Sequence, residues 1–326
     1  MNTFYYQVSC FGKLPRFGDF VRFNSGGSEV RAFELWIQEG LYYAQKHYDQ
    51  EWDDVYQHSP EYQFLFNPDG TDRFLLGALR PSHDKSDRKY PYIVTLRIGK
   101  DLADGADVFA YFPVMLSQFL QQTAPVLDQA DQALTPQDLA NEAEQLNDAV
   151  AVDMEDALGQ FKDFLQDTSL AQFWEDVLGS ADDPRRFQLI RNMTEILLPL
   201  RGHPTLPLTL GLRFPLGQNG ASVHRAVCFW ILAAARMLGD PPLAPNAFWG
   251  SRGEGTERFL FLYLHPPASK NMIQLVRPGE ENDAVCHLEE EGKDISPDAA
   301  LSGLSPELRS AVLEGQASLS DFLGLL

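Results

Sequence analysis

Tyr62-Gln63-Phe64-Leu65-Phe66-Asn67-Pro68-Asp69-Gly70-Thr71-Asp72-Arg73-Phe74-Leu75-Leu76-Gly77-Ala78-Leu79 reads as two strands around a turn. Aromatic and aliphatic side chains crowd 62–66 and 73–79, and Asn-Pro-Asp-Gly at 67–70 supplies the residues that fix turn dihedrals. A third apolar run, Ile93 to Ile98, follows, so a sheet is expected. Upstream, Ser28 offers an N-cap, and Val30, Phe33, Trp36, Ile37, Leu41 and Ala44 then recur along one side of a 3.6-residue helix. Strands interleaved with helices predict an α/β fold, a layered sandwich on a mixed central sheet.

Working outward, Thr135-Pro136 reads as an N-cap followed by Pro at the first helical position. Leu139, Ala143, Leu146, Val150, Met154, Leu158, Phe161 and Leu165 follow at spacings of three or four, which predicts one long amphipathic helix with an acidic outer face. Asp183-Pro184 opens another helix to about Leu198. Leu206 to Phe214 alternates as a strand, Ala221 to Leu238 is apolar nearly all round and so a buried helix, and Arg258 to Leu264 is a further strand. Pro278 to Asp298 is polar and charged and reads as a loop. Gly70 to Leu75 resembles Gly255 to Leu260; internal duplication is the alternative to the preferred reading, convergence of turn-plus-strand chemistry.

The chain has 326 residues and a net charge of −20, distributed unevenly. Residues 1–100 are nearly neutral at −1, whereas 101–183 hold 18 acidic side chains against the single Lys162; 184–278 carry +7 and 279–326 carry −9. A net negative charge opposes phosphate backbones and anionic membrane surfaces, so no nucleic-acid partner is expected. The longest apolar run, Ala226 to Ala235, is half of what spans a bilayer, so no direct membrane insertion is expected and the reading is a cytoplasmic protein. Cys10, Cys228 and Cys286 are too scattered for a disulfide framework or a CxxC metal pair.

Familiar catalytic motifs are missing: no GxSxG, HExxH, Walker A loop or GxGxxG after a strand occurs. Cys286-His287 with Glu289, Glu290 and Glu291 lacks a second ligand cluster, so no metal or cofactor is assigned. Gly250 to Thr256 leads into a strand and reads as a hairpin turn rather than a phosphate loop. The densest polar stretch is Arg80-Pro81-Ser82-His83-Asp84-Lys85-Ser86-Asp87-Arg88-Lys89-Tyr90-Pro91, on a loop between two predicted strands. His83 and Asp84 could serve as base and carboxylate, but the spacing identifies no nucleophile. The alternative, preferred here, is an Asp84–Arg88 charge-assisted hydrogen bond that shapes the loop.

Phe11-Gly12-Lys13-Leu14-Pro15-Arg16-Phe17-Gly18-Asp19-Phe20-Val21-Arg22 places glycines and a proline between apolar anchors. Gly12 and Gly18 are expected to supply backbone freedom and Pro15 rigidity, with Leu14 and Phe20 buried. This stretch resembles the opening of the TagF (ImpM) family of type VI secretion accessory proteins, which begin Phe-Gly-Lys-Leu-Pro…Gly-Asp-Phe-Val and continue into a helix bearing Trp, here Trp36. The family's Pro-Ser-x-Asp-x-x-Gly-Arg-x-Phe-Pro is matched by Pro81, Ser82, Asp84, Arg88, Tyr90 and Pro91, with Asp87 in place of the glycine. A weaker resemblance covers Trp249 and the strand from Glu257 to Leu264, followed by Pro267.

The resemblance spans roughly 8–100 and 206–278 and fades in the acidic stretches. It implies an α/β body formed by 1–125 and 184–278, an acidic helical insertion at 126–183 and an acidic C-terminal extension with short helices at 279–326. It further implies a post-translational negative regulator that binds an FHA-domain scaffold component and is not an enzyme. The residues it nominates for the partner are Gly12, Lys13, Leu14, Pro15, Gly18, Asp19, Phe20, Ser82, Asp84, Arg88, Pro91 and Trp249. The alternatives are a hydrolase or phosphatase-type enzyme using the His83, Asp84 and Arg88 loop, and a structural secretion subunit. The acidic face of the 135–165 helix is solvated or docks a basic partner.

Overall fold

The computed structural model describes residues 6–100, 108–149, 154–202, 209–218, 220–239, 244–252, 257–280, 283–290 and 296–326. Strands β1 (Tyr6–Gly12) and β2 (Val21–Phe23) precede helices α1 (Ser28–Tyr48) and α2 (Trp52–Gln57). The antiparallel hairpin expected from 62–79 follows as β3 (Tyr62–Phe66) and β4 (Arg73–Arg80), turning through Gly70 at φ +67°, and β5 (Tyr92–Gly99) pairs with β4. A helical stretch then comprises α3 (Val108–Met115), α4 (Ser117–Ala130), α5 (Pro136–Ala149), α6 (Met154–Asp167), α7 (Leu170–Leu178) and α8 (Arg185–Leu197). The chain returns to the sheet with β6 (Gly211–Gly217), crosses it with α9 (Val223–Met237) and adds β7 (Asn246–Arg252) and β8 (Glu257–Tyr263). It closes with α10 (Met272–Val276), β9 (Val285–His287), α11 (Pro297–Ala300), α12 (Pro306–Glu314) and α13 (Leu319–Leu325).

The nine strands among the described residues join one sheet in the order β2-β1-β5-β4-β3-β7-β8-β6-β9. Every pair is antiparallel except β6–β9, which makes the sheet mixed. The β3–β7 pairing, with Phe64 opposite Phe248, joins the strands of 6–99 to those of 211–287. Both faces are covered, which is why the strands read as apolar runs rather than alternating ones. Along β4, Leu75 packs under α1, α2 and α10, while Phe74 and Leu76 face the larger helical layer. The smaller layer is aromatic: Phe33 lies 4.7 Å from Phe64 and 4.6 Å from Phe66, and Trp36 lies 5.3 Å from Phe248. Helix α1 buries all six periodic residues from Val30 to Ala44, although Gly27 rather than Ser28 holds its N-cap.

The helix expected from Thr135 through Leu165 is described in two pieces, α5 and α6; residues 150–153, Val150 among them, lie outside the described residues. Thr135 does cap α5, accepting from the Asp138 amide at 3.3 Å. Leu139, Ala143, Leu146, Phe161 and Leu165 are buried in the same core as β1 and α9, while Glu144, Glu155, Asp163 and Asp167 are exposed. At roughly 25 cal/mol per Å² of apolar surface, a fully buried Phe161 contributes about 2 to 3 kcal/mol, enough to fix a polar helix on the sheet. The strand expected at 206–214 is found at 211–217, and 203–208 lie outside the described residues. The segment 278–298, expected to be a loop, contains β9, whose parallel partner β6 lies far away in sequence and leaves no local signature. Among the described residues no helix is long and apolar enough to cross a membrane.

Candidate functional site

Strand β1 ends at Gly12, which sits at φ +136°; a Cβ there would lie 2.1 Å from the Pro91 carbonyl oxygen. Only glycine tolerates both the dihedral and the approach, so this residue lets the 12–20 segment lie against the 81–91 loop. Leu14 is buried in the core, and beyond Pro15 the Phe17 amide closes a turn onto the Leu14 carbonyl at 3.0 Å. Gly18 corrects the expectation: its φ is not positive and a Cβ would meet nothing within 4 Å, so backbone freedom is not its contribution. Its carbonyl instead accepts from Arg88 Nη2 at 2.9 Å. Asp19 caps its own turn by accepting the Phe20 amide at 2.8 Å. Phe20 is half-buried, edge-on to Tyr90 at 4.9 Å.

The 81–91 loop is organised around Asp84, which is fully buried. Asp84 Oδ1 accepts the amides of Ser86 (2.9 Å) and Arg88 (3.0 Å); Oδ2 accepts from Arg88 Nε at 2.6 Å and lies 3.3 Å from Lys13 Nζ. Burial pushes the Asp84 carboxyl up, but the Arg88 amide and guanidinium, the Ser86 amide and the Lys13 ammonium outweigh it and hold the pKa at about 2. The expected Asp84–Arg88 bond is present, and Lys13 joins it from the other motif. Ser82 is anchored by Tyr56, whose hydroxyl donates to the Ser82 carbonyl (3.1 Å) and accepts its amide (3.2 Å). Asp87, where the family's motif has glycine, stands at φ +61°. The loop therefore keeps the left-handed backbone that glycine favours, with an aspartate tolerating it.

These two loops and the α1–α2 elbow enclose an open groove of about 610 Å³. Lys13, Phe20, Arg88 and Tyr90 come from the motifs, and Gln38, Leu41 and Tyr42 of α1 and Trp52 of α2 form the opposite wall. Tyr42 is 60% exposed and Leu35, on the same helix, 54%. Arg22 is held by Glu34 at 2.5 and 3.2 Å, and Lys89 by Asp87 at 2.7 Å. The α1 and α2 residues were not nominated by the sequence motifs; the available signal was Leu35 and Tyr42, large apolar side chains outside the buried stripe.

Eleven of the nominated residues thus meet in one corner, while Trp249 does not. It is buried on β7 opposite Gln63, donating Nε1 to Gln63 Oε1 at 2.8 Å, and belongs to the core. His83 directs Nδ1 to the Asp84 carbonyl at 3.0 Å, and Asp84 has both oxygens engaged, so the pair forms no acid–base couple. No group of three or more metal-ligating side chains occurs among the described residues.

Comparison with known proteins places the same corner inside a recognised domain. Residues 9–146 match the TagF N-terminal domain, a type VI secretion system-associated family. This part of the chain is similar to the TagF N-terminal domain. The TagF match thus takes in both motif loops, α1, α2 and the whole groove. No curated protein matches the chain. A crystal structure of PA0076 from Pseudomonas aeruginosa PAO1 is similar over 85% of this chain and 96% of that one, at 16% identity and a TM-score of 0.48.

Proposed function

We propose that this TagF-like protein is a cytoplasmic accessory protein of type VI secretion that acts after translation as a negative regulator, by binding an FHA-domain scaffold component. The observation that carries a binding role is the Asp84 junction. It spends a buried carboxylate on joining Lys13 to Arg88 and so holds two distant motifs as one wall of an open groove. A carboxylate held at about 2 with its oxygens occupied is a poor general base near neutral pH, which speaks against hydrolysis by the His83, Asp84 and Arg88 loop. The exposed Tyr42 in the groove wall, with Leu35 exposed on the same helix, suits a protein surface, since aromatic anchors dominate interface energetics.

Gel filtration of the full chain with an FHA-domain scaffold tests the reading. Co-elution is expected, and Tyr42→Asp should weaken it about tenfold or more without lowering the melting temperature. A scaffold that elutes separately from the wild-type chain, or a variant that still co-elutes undiminished, rejects it.

A further inference from the structure

The charges around the groove do not cancel pair by pair. Glu34 answers Arg22, and Asp87 and Asp53 both face Lys89, whereas the single carboxylate of Asp84 serves both Lys13 and Arg88. Two further cations on the same corner, Arg16 and Lys85, are exposed and have no carboxylate partner among the described residues. The loops are packed together there, with the Lys85 amide donating to the Phe17 carbonyl at 2.8 Å. Asp19 is exposed on the same corner and offsets one of them, so a chain of net charge −20 keeps a surplus of a single positive charge there.

A second, independent observation points to a ligand. Tyr90 lines the groove at 8% exposure, and its hydroxyl is buried without a hydrogen-bond partner among the described residues. A buried donor left unmade is costly, and native folds rarely keep one unless something supplies the acceptor. Phe20 and Leu41 offer apolar surface beside it. Two unpaired cations beside a groove with an apolar floor and an unanswered hydroxyl in its wall complement a carboxylate carried next to an apolar anchor.

We infer that the groove takes an acidic peptide segment of a protein partner, a carboxylate reaching the Tyr90 hydroxyl while neighbouring acids meet Lys85 and Arg16. This rests on the binding reading above and names the chemistry of what binds. The cationic rim also predicts an association that slows as salt rises, because exposed charges are screened beyond about 8 Å at physiological ionic strength.

Fluorescence anisotropy of the full chain with three labelled peptides tests it: a glutamate-rich peptide bearing one leucine, its glutamine counterpart and its phosphoserine counterpart. The glutamate peptide should bind at least about tenfold more tightly than the glutamine one. Arg16→Ser with Lys85→Ser should weaken it roughly tenfold, and Tyr90→Phe about fivefold, with melting temperatures at or above that of the parent. Equal affinity for the glutamine peptide, or unchanged affinity in both variants, overturns the inference. Binding of the phosphoserine peptide alone overturns it in favour of a phosphoryl site. Scaffold co-elution without glutamate-peptide binding removes this inference and leaves the regulatory reading standing; peptide binding without co-elution does the reverse.

Discussion

Lys13 Nζ lies 3.3 Å from Asp84 Oδ2, so a cation of one motif and a buried carboxylate of the other are bound to each other. Asp84→Asn keeps the shape but puts an uncharged amide where two cations and two backbone amides are satisfied. Hydrogen bonds to a charged partner contribute about 1.5 to 3 kcal/mol each, but Arg88 is 59% exposed and its share is reduced by solvent. The expected loss is about 2 kcal/mol, seen by calorimetry as a melting temperature lower by roughly 3 °C. The loop should also loosen, with faster amide exchange at Ser86 and Arg88. An unchanged melting temperature together with unchanged exchange contradicts the junction's role.

Asp87 makes the opposite prediction. It occupies a left-handed conformation that costs an L-residue about 1 kcal/mol, and its exposed side chain makes only surface contacts, an ion pair with Lys89 at 2.7 Å and an approach to His83 Nδ1 at 3.7 Å. Asp87→Gly should therefore be neutral or stabilising by up to about 1 kcal/mol, although glycine's greater unfolded-state entropy takes back part of the gain. Asp87→Val, β-branched at the same dihedral, should destabilise by about 1 to 2 kcal/mol. Equilibrium denaturation of the two variants checks the order, and a valine variant as stable as the glycine one contradicts it.

Much of this was legible in sequence because it is local. The α1 stripe, the Asn67–Gly70 turn and the buried α9 follow from periodicity and turn chemistry over a few residues. Gly12 was legible as a residue of backbone freedom, which its φ of +136° uses, whereas its close approach to Pro91 was not. Gly18 looked the same in sequence but is used for its carbonyl, which any residue carries. The Lys13–Asp84 contact and the β6–β9 pairing were hidden because both are long-range and use residue types that occur everywhere on surfaces. Trp249 misled for the converse reason: a motif can mark packing as readily as binding, and its indole is spent on Gln63.

Arg213 on β6 is 3% exposed and donates to the buried Glu289 at 2.5 Å and also to Glu257, fastening the segment after β9 to the sheet. Removing one partner of a buried pair strands the other, so Arg213→Ala should cost about 3 to 5 kcal/mol at neutral pH. Burial already raises the Glu289 carboxyl, despite the opposing pull of Arg213. A carboxyl whose folded pKa is raised binds a proton more readily folded than unfolded, so acidification favours the folded state until the ordinary carboxylate range is reached. Losing Arg213 raises it further, and the deficit of the variant should shrink between pH 7.5 and 5. Urea denaturation at the two pH values measures it; an equal deficit at both excludes Glu289 as the stranded charge.

His224 supplies an acid-side prediction from the opposite sign. Gln63 Nε2 donates to the Leu120 carbonyl at 2.9 Å, which turns Gln63 Oε1 toward Trp249 Nε1 and His224 Nε2, both at 2.8 Å. The network thus assigns the His224 proton to Nε2. Burial lowers the His224 pKa to about 4, whereas an unfolded histidine titrates near 6.5. Below about 6.5 the unfolded chain takes up a proton that the folded chain refuses. The stability from neutral His224 is therefore complete above about 6.5, falls as pH drops, and is lost by about 4. Allowing for partial exposure of the ring, the wild type should lose about 2 kcal/mol across that window more than His224→Gln, which cannot titrate there. Denaturation curves of the two proteins from pH 7 to 4 give the difference, and proton NMR of the ring gives the pKa itself. A value near 6.5, or parallel stability curves, would show that the ring is solvated and that the Gln63 network does not hold it neutral.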